Sequence, residues 1–291
     1  MSTFAGRFVL INGELLAASQ ARISVFDRGL LYGDGLFETL RAYNGRPFAL
    51  NEHLARLRAS AAFLDIRLPR QSWRQDIGTL LRRNRLVQTD AWVRITLTRG
   101  VAAPRLVPPA RMQPTIILTT ASIDPGIASA QRRGVRVVLL PFARDGFLAE
   151  HKVIGYLPAV LGKSIAARRK AFEGLFVDGE GMLSEGTTSN IFIVRDASLL
   201  TPPVKSLLPG VTRRLIIAAA ATDGLRVVEQ PLRTVDLLQA DEAFLTSAVA
   251  EVVPITAVDT HAVGTGRVGP RTRCLQRAYR QLVAQALPAA E

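Results

Sequence analysis

Leu31-Tyr32-Gly33-Asp34-Gly35-Leu36-Phe37-Glu38-Thr39 sets two glycines two residues apart ahead of an apolar stretch. Paired glycines of this kind invite comparison with a dinucleotide-binding turn, but that turn opens a helix. Here a strand follows instead. Phe37 to Tyr43 reads as extended chain, and Asn44-Gly45 turns it into Arg46 to Leu50 as a hairpin. A Rossmann reading is rejected on that ground. Upstream, Arg7 to Ile11 and Glu14 to Ala17 flank Asn12-Gly13 as another hairpin. Downstream, Asn51 is placed to cap a helix to about Asp65, with Leu54, Leu57, Ala61 and Leu64 at helical spacing. A helix over Ser72 to Arg85 and strands over Ala91 to Arg99 and Thr115 to Thr120 complete this half. In Ala91 to Arg99, Val93, Ile95 and Leu97 share one face, and Trp92, Arg94, Thr96 and Thr98 share the other.

Residues 121–133 contain Asp124-Pro125-Gly126 and few large apolar side chains, and read as a linker. Beyond it come a strand over Val135 to Leu140 and a helix over Leu157 to Phe172, with Val160, Leu161, Ile165 and Ala166 turned inward. Leu175 to Val177, Asn190 to Val194, Leu225 to Val228 and Ala243 to Thr246 read as strands. Val211 to Thr222 and Arg271 to Ala286 read as helices. The expectation is an α+β protein with a small domain over 1–120, a linker over 121–133 and a larger domain over 134–291.

Composition narrows the classes of function. Apolar residues make up 48% of the 291-residue chain and charged ones 21%, which suits a packed core. No apolar run approaches the roughly 20 residues of a membrane-spanning helix, and Phe8 to Ile11 is too short for a signal-peptide core. A single cysteine, Cys274, rules out an intramolecular disulfide and fits a reducing compartment. The expected setting is cytoplasmic. A net charge of +13 raises nucleic-acid binding as a remote alternative, but the basic residues are dispersed and aromatics are only 6%, too few for stacking platforms. The three histidines are scattered without metal-ligand spacing, so no metal is expected.

The basic residues are not evenly chosen. Only four of 37 are lysines: Lys152, Lys163, Lys170 and Lys205. A chain that uses arginine by default keeps lysine where an amine is needed, since a guanidinium stays protonated. Lys163 and Lys170 lie beside Arg168 and Arg169 on a helix, and Lys205 lies in a proline-rich loop. Lys152 begins the apolar segment Lys152-Val-Ile-Gly-Tyr-Leu, where an amine is partly desolvated and reactive. Read as structure alone, it ends a strand or caps a helix, and both readings stand at this point. Gly210-Val211-Thr212-Arg213 enters a helix whose first N–H groups attract an anion, or is an ordinary helix start. Ser184-Glu185-Gly186-Thr187-Thr188-Ser189-Asn190 offers a carboxylate for a cationic ring nitrogen, or is a solvated turn.

In their joint order these segments resemble the class IV aminotransferases, the fold type IV pyridoxal-phosphate enzymes. The resemblance is carried by Phe26 to Thr39, Asn51-Glu-His-Leu-Ala-Arg-Leu, Thr98-Arg-Gly, Lys152 with Tyr156-Leu, Ser184 to Phe192, Leu208-Pro-Gly-Val-Thr-Arg and Thr246 to Pro254. It implies pyridoxal 5′-phosphate held as a Schiff base on Lys152, which then serves as the base for the substrate α-proton. It implies Glu185 on the ring nitrogen and Arg56 on the phosphate, with backbone N–H groups of Val211 and Thr212 sharing that load. Leu208 would pack under the ring, Tyr156 would bond the ring oxygen, and Thr188 and Ser189 would line the cofactor side. Ala248 departs from the family, which often carries a threonine there, so the contact falls to Ser247 or to main-chain N–H. Read without the resemblance, Arg56 is a surface residue paired with Glu52 at i,i+4.

The resemblance implies an amino acid and a 2-oxo acid as substrates, exchanged in a ping-pong cycle. Donors are D-amino acids or branched-chain L-amino acids. The stretch from Thr98 to Arg105 looks most like the D-amino-acid enzymes, with Arg105 on the substrate carboxylate, but Val107 and Phe37 replace the histidine and tyrosine of that pattern. Phe37, Trp92 and Arg94 match the aromatic, tyrosine and arginine of branched-chain enzymes. Phe37-Glu38-Thr39 with Tyr156-Leu also occurs in lyase-like members, which leaves cleavage of 4-amino-4-deoxychorismate to 4-aminobenzoate and pyruvate as the alternative. The resemblance also implies a homodimer in which Arg28 to Tyr32 serves the neighbouring site.

Overall fold

The computed structural model describes residues 7–144, 146–222 and 224–287. The chain forms two compact units. One comprises the described residues up to Ile123 together with His151–Gly155, and the other comprises Asp124–Glu150 and the described residues from Tyr156 onward. Among the described residues, no helix is long and apolar enough to cross a membrane.

The first unit runs β1 (Phe8–Ile11), β2 (Glu14–Ala17), α1 (Arg28–Tyr32), β3 (Gly35–Tyr43), β4 (Arg46–Pro47), α2 (Leu50–Phe63), α3 (Trp73–Arg83), β5 (Ala91–Thr98) and β6 (Thr115–Ser122). Its six strands pair antiparallel in the order β2-β1-β6-β5-β3-β4. Alternation decides which face is inside: Val93, Ile95 and Leu97 are fully buried, as are Leu36 and Leu40. They form a core with Leu54 and Leu57 of α2 and Ile77, Leu80 and Leu81 of α3. Fully burying each such side chain contributes about 1.5–3 kcal/mol. The glycines of the opening stretch now have reasons. Gly33 ends α1 in the left-handed region at φ 66°, and a Cβ on Gly35 would lie 2.5 Å from the carbonyl oxygen of Leu97. α2 starts after Ala49, which adopts a left-handed φ and gives no side-chain cap, so Asn51 sits inside the helix rather than at its cap.

The second unit runs α4 (Gly126–Arg133), β7 (Val135–Leu140), α5 (Leu157–Arg168), β8 (Glu173–Val177), β9 (Met182–Gly186), β10 (Asn190–Arg195), β11 (Ser198–Thr201), α6 (Val211–Thr222), β12 (Arg226–Glu229), β13 (Leu232–Arg233), α7 (Thr234–Leu238), β14 (Glu242–Ser247), β15 (Glu251–Val258), β16 (His261–Ala262) and α8 (Pro270–Ala286). Its mixed sheet has the order β12-β11-β10-β14-β15-β7-β8-β9-β13, with β16 on β15. Its core gathers Val137, Leu175, Ile191, Ile193, Leu245 and Ile255.

Residues 121–133, expected as a linker, contain the division between the two units at Ile123 and Asp124, but the range is structured: β6 runs to Ser122 and Gly126–Arg133 is helical. Pro125 stands at the helix start and the Asp124 carboxylate accepts from the N–H of Gly126, so the turn signal marks a helix beginning. The boundaries 1–120 and 134–291 also miss that His151–Gly155 rejoin the first unit, by an antiparallel bridge between Val153 and Leu36. The outer ends of those ranges, 1–6 and 288–291, lie outside the described residues. In α5 the inward residues are Ala159, Gly162 and Ala166, while Val160 and Leu161 are exposed. The helix comes so close to the sheet that a Cβ on Gly162 would lie 2.6 Å from Leu140, and only the small-residue face fits there.

Candidate active site

In the first unit, β3 and β5 pair in a register that sets Phe37 opposite Thr96 and Thr39 opposite Arg94. Lys152 is fixed by main chain: its carbonyl accepts from the N–H of Phe37 (2.8 Å), and the N–H of Ile154 donates to the carbonyl of Gly35 (3.0 Å). This short added strand brings the Lys152 Nζ to 4.6 Å from the centre of the Phe37 ring. The Arg94 guanidinium carbon lies 3.7 Å from the same ring centre, and its Nε donates to Thr96 Oγ1 (3.2 Å). Three of the residues expected in the site therefore gather on one aromatic ring. Cations are held there by about 0.5–2 kcal/mol each. Trp92, half-buried, is two residues from Arg94 on the same strand face.

Arg105 is not part of this group. Its side chain is exposed. Its carbonyl accepts from Arg28 Nη1 (2.5 Å), and Arg28 Nη2 donates to the carbonyl of Leu106 (3.0 Å). Arg28 is itself held by Asp34, which also binds Arg99. Burial would raise the Asp34 carboxyl, but the two guanidinium groups hold it below its ordinary range.

Arg56 lies on α2 and its fork closes on Glu38: Nε to Oε1 at 2.8 Å and Nη2 to Oε2 at 2.7 Å. The His53 Nδ1 is 2.7 Å from Glu38 Oε2. Glu38 is buried on the helix-covered face of β3, between Leu36 and Leu40 in the alternation. Burial alone would push its pKa up, but the Arg56 charge and the hydrogen bonds of Arg56 and His53 outweigh that and bring it to about 2. Sequence reasoning passed over Glu38 and His53, although a signal was present. Each is a polar residue on an otherwise apolar face, at period two in β3 and at i+3 from Leu50 in α2.

In the second unit Glu185 is buried at the end of β9. Its Oε2 accepts from the N–H of Leu208 (3.2 Å) and from Asn190 Nδ2 (3.4 Å), and Asn190 Nδ2 also reaches the carbonyl of Leu208 (3.0 Å). Its Oε1 accepts from Arg144 Nη1 (2.5 Å), a partner not expected from sequence. Gly210 packs tightly on Asn190, which brings the start of α6, with Val211 and Thr212, to the same corner. Asn190 pairs with Thr246 across β10 and β14, so the Ser247-Ala248 turn follows directly after. The Ser247 Oγ accepts from the N–H of Ala250 (3.1 Å).

The Tyr156 hydroxyl donates to the carbonyl of Thr187 (2.9 Å). Thr188 donates to Glu173 Oε2 (2.9 Å), Ser189 lies 3.4 Å from the same oxygen, and Thr187 bonds Oε1. The hydroxyls of Thr188 and Ser189 thus serve a buried carboxylate on β8 and hold the turn beside Glu185. That partner, sixteen residues away from Ser189 in the chain, leaves no local sequence signal.

The donor set fits the cofactor implied by the resemblance. The first unit offers an amine beside an aromatic ring, and the second, by itself, offers a buried carboxylate suited to a cationic ring nitrogen and a helix start suited to a phosphate. Thr246 Oγ1 is buried and has no hydrogen-bond partner among the described residues, which leaves a hydroxyl at the same corner for a ligand to satisfy.

Known proteins share this arrangement of elements. Residues 35–258 match the family described as amino-transferase class IV. A putative branched-chain-amino-acid aminotransferase of Methanocaldococcus jannaschii is 38% identical over 277 residues, covering 94% of this chain and 96% of that protein. The D-alanine aminotransferase of Bacillus licheniformis is 32% identical over 278 residues, covering 94% and 96%. Among solved structures, the branched-chain amino acid aminotransferase of Escherichia coli superposes with a TM-score of 0.87 at 31% identity, covering 95% of this chain and 94% of that one.

Proposed function

The chain belongs to the class IV aminotransferases, and from that premise we propose that it holds pyridoxal 5′-phosphate through Lys152 and takes a branched-chain L-amino acid as donor. It transfers an amino group between an amino acid and a 2-oxo acid, and its α+β architecture is that of the fold type IV enzymes. The relatives do not favour the lyase reading. When bound, the cofactor supplies a ring that takes up the electron pair released at the substrate α-carbon.

This chain's residues divide the remaining work. The Lys152 amine binds the cofactor and then holds the α-proton at Nζ. Glu185, fixed by Leu208 and Asn190, would hold the ring nitrogen of the cofactor. Leu208 would pack under the ring, and Tyr156 would meet the ring oxygen. The first N–H groups of α6, at Val211 and Thr212, bind the phosphate with the turn at Ser247 and Ala248. Arg56, oriented by Glu38, would supply guanidinium charge to the cofactor phosphate. Thr188 and Ser189 act through Glu173, which stiffens the cofactor-side turn.

The observation that carries the donor assignment is the Phe37 ring shared by Lys152 and Arg94. A guanidinium close to the reacting amine suits a substrate carboxylate, and Phe37, Trp92 and Arg94 form the set that resembles branched-chain enzymes. The purified holoenzyme is expected to change its bound-cofactor absorbance with L-leucine and not with D-alanine. Consumption of D-alanine alone overturns the assignment. Arg94→Met should raise the substrate KM by about 10–100-fold, the loss of a charge-assisted hydrogen bond, whereas Arg105→Met should leave it within about threefold. A second reading, D-amino acids bound by Arg105, is favoured by the tether from Arg28 to the main chain of residues 105 and 106. The reversed order of these two effects in steady-state kinetics would select it.

We also infer a homodimer. Val25, Phe26, Leu30 and Leu31 are exposed, as are Val101, Leu106 and Val107, and the two segments are joined by the Asp27–Val101 bridge and by Arg28. A joined apolar patch of this kind marks an interface, and a second copy also agrees with the implied role of Arg28 to Tyr32. Sedimentation should give twice the chain mass, and Leu30→Glu should shift it to the monomer. A wild-type protein that sediments as a monomer at micromolar concentration excludes the dimer.

A further inference from the structure

We propose that Arg144 is a positioning residue that holds Glu185 as an oriented anion, so that the ring nitrogen of the cofactor meets a charged partner. The inference rests on the reading of Glu185 as that partner. Glu185 is buried, and a buried carboxylate without a counter-charge costs several kcal/mol. The main-chain N–H of Leu208 and the amide of Asn190 are neutral and both meet Oε2. The Arg144 guanidinium meets Oε1 and brings a full positive charge.

Arg144 is built into this position. Its side chain is only 12% exposed, so it is no surface charge drawn to the nearest acid. Its guanidinium lies 5.5 Å from the Tyr156 ring centre, and the Tyr156 hydroxyl is fixed on Thr187. Two residues earlier, Phe142 packs its ring 5.8 Å from that of buried Phe176 and anchors the segment. One arginine therefore bridges two residues assigned to the cofactor ring, Tyr156 and Glu185. A carboxylate has about four lone-pair sites, so it can accept from a guanidinium and from a protonated ring nitrogen together. The same segment reaches Lys152 eight residues later.

The test compares Glu185→Gln, Arg144→Met, Arg144→Lys and the Glu185→Gln/Arg144→Met pair. Each is prepared as holoenzyme, resolved and titrated back with pyridoxal 5′-phosphate. Glu185→Gln is expected to weaken cofactor affinity by about 10–100-fold and to alter the absorption spectrum of the bound cofactor. Arg144→Met should alter the spectrum in the same direction and lower kcat more than it raises donor KM. Arg144→Lys should recover part of both. The pair should resemble Glu185→Gln alone, because Arg144 acts through that carboxylate. If Glu185→Gln is altered but Arg144→Met keeps the wild-type spectrum, or the two effects add, Arg144 does not act through Glu185 and the proposal is overturned while the assignment of Glu185 stands. An unaltered Glu185→Gln removes that assignment and this proposal with it. Thermal melts of the cofactor-free variants check folding. If Arg144→Met does not fold, Arg144→Gln decides, and a wild-type spectrum in that variant overturns the proposal.

Discussion

Lys152→Ala should lower turnover by about 10⁴-fold or more, since the removed amine serves both as the attachment point and as the proton carrier. Lys152→Arg should lose as much, because a guanidinium keeps its proton and cannot replace the amine. The other three lysines are occupied elsewhere or stand at the surface. Lys163 donates to the carbonyl of Phe172 (2.6 Å) and pairs with Glu173, and Lys170 and Lys205 are exposed. Their alanine variants should keep activity within about twofold. Borohydride reduction of the holoenzyme followed by peptide mapping should find one adduct, on the peptide that contains Lys152. An adduct on any other lysine, or full turnover by Lys152→Ala, would remove the mechanism from this chain. The position of the amine is set by backbone rather than by the side chain, through the bonds of Lys152 and Ile154 to Phe37 and Gly35. Both variants should therefore fold like the wild type, and their melting temperatures test this directly.

How far the sequence could be read differs from one element to the next, and the reasons are physical. β5 was legible because alternation alone separates Val93, Ile95 and Leu97 from Trp92 and Arg94, and the buried face follows that division. α6 was legible at both ends, with Gly210 before it and an apolar stripe within it. α5 was misread because the rule that large apolar residues point inward fails where a helix approaches a sheet closely. There Ala159, Gly162 and Ala166 pack, and Leu157, Val160 and Leu161 stay exposed. β9 was hidden because Ser184, Glu185 and Gly186 are poor strand formers in isolation. Glu185 is tolerated inside because Leu208, Asn190 and Arg144 satisfy it, and those partners are distant in sequence. The scarcity of lysine made Lys152 stand out. By the same logic Arg144 could not stand out, since arginine is this chain's default positive residue.

Glu38→Gln is expected to destabilise the protein by about 3–5 kcal/mol at neutral pH, the cost of breaking a buried ion pair by removing one partner. The substitution keeps the shape of the side chain and removes the charge, which leaves the buried Arg56 fork and His53 facing a neutral amide. The pH dependence separates this charge effect from a packing effect. Glu38 titrates at about 2 in the folded protein against an ordinary 4.5. As pH falls through 4.5 the unfolded chain takes up the proton first, so the stabilisation is complete above that range and is lost as pH approaches 2. The difference is worth about 3 kcal/mol. Urea melts of the cofactor-free protein at a series of pH values should show the gap between wild type and Glu38→Gln narrowing by that amount from about pH 5 towards pH 2. Subtracting the variant removes the contribution of the other carboxylates, including Asp34, whose pKa is also lowered. A gap that stays constant with pH would mean that Glu38 stabilises by shape alone. The same variant has a second consequence, because Glu38 holds both Nε and Nη2 of Arg56. Without that anchor the arginine assigned to the phosphate loses its fixed orientation. Pyridoxal 5′-phosphate should then bind about 10-fold more weakly, while affinity for pyridoxal, which lacks the phosphate, should be unchanged. An equal loss for both ligands would place Arg56 outside the phosphate site and return it to a purely structural role.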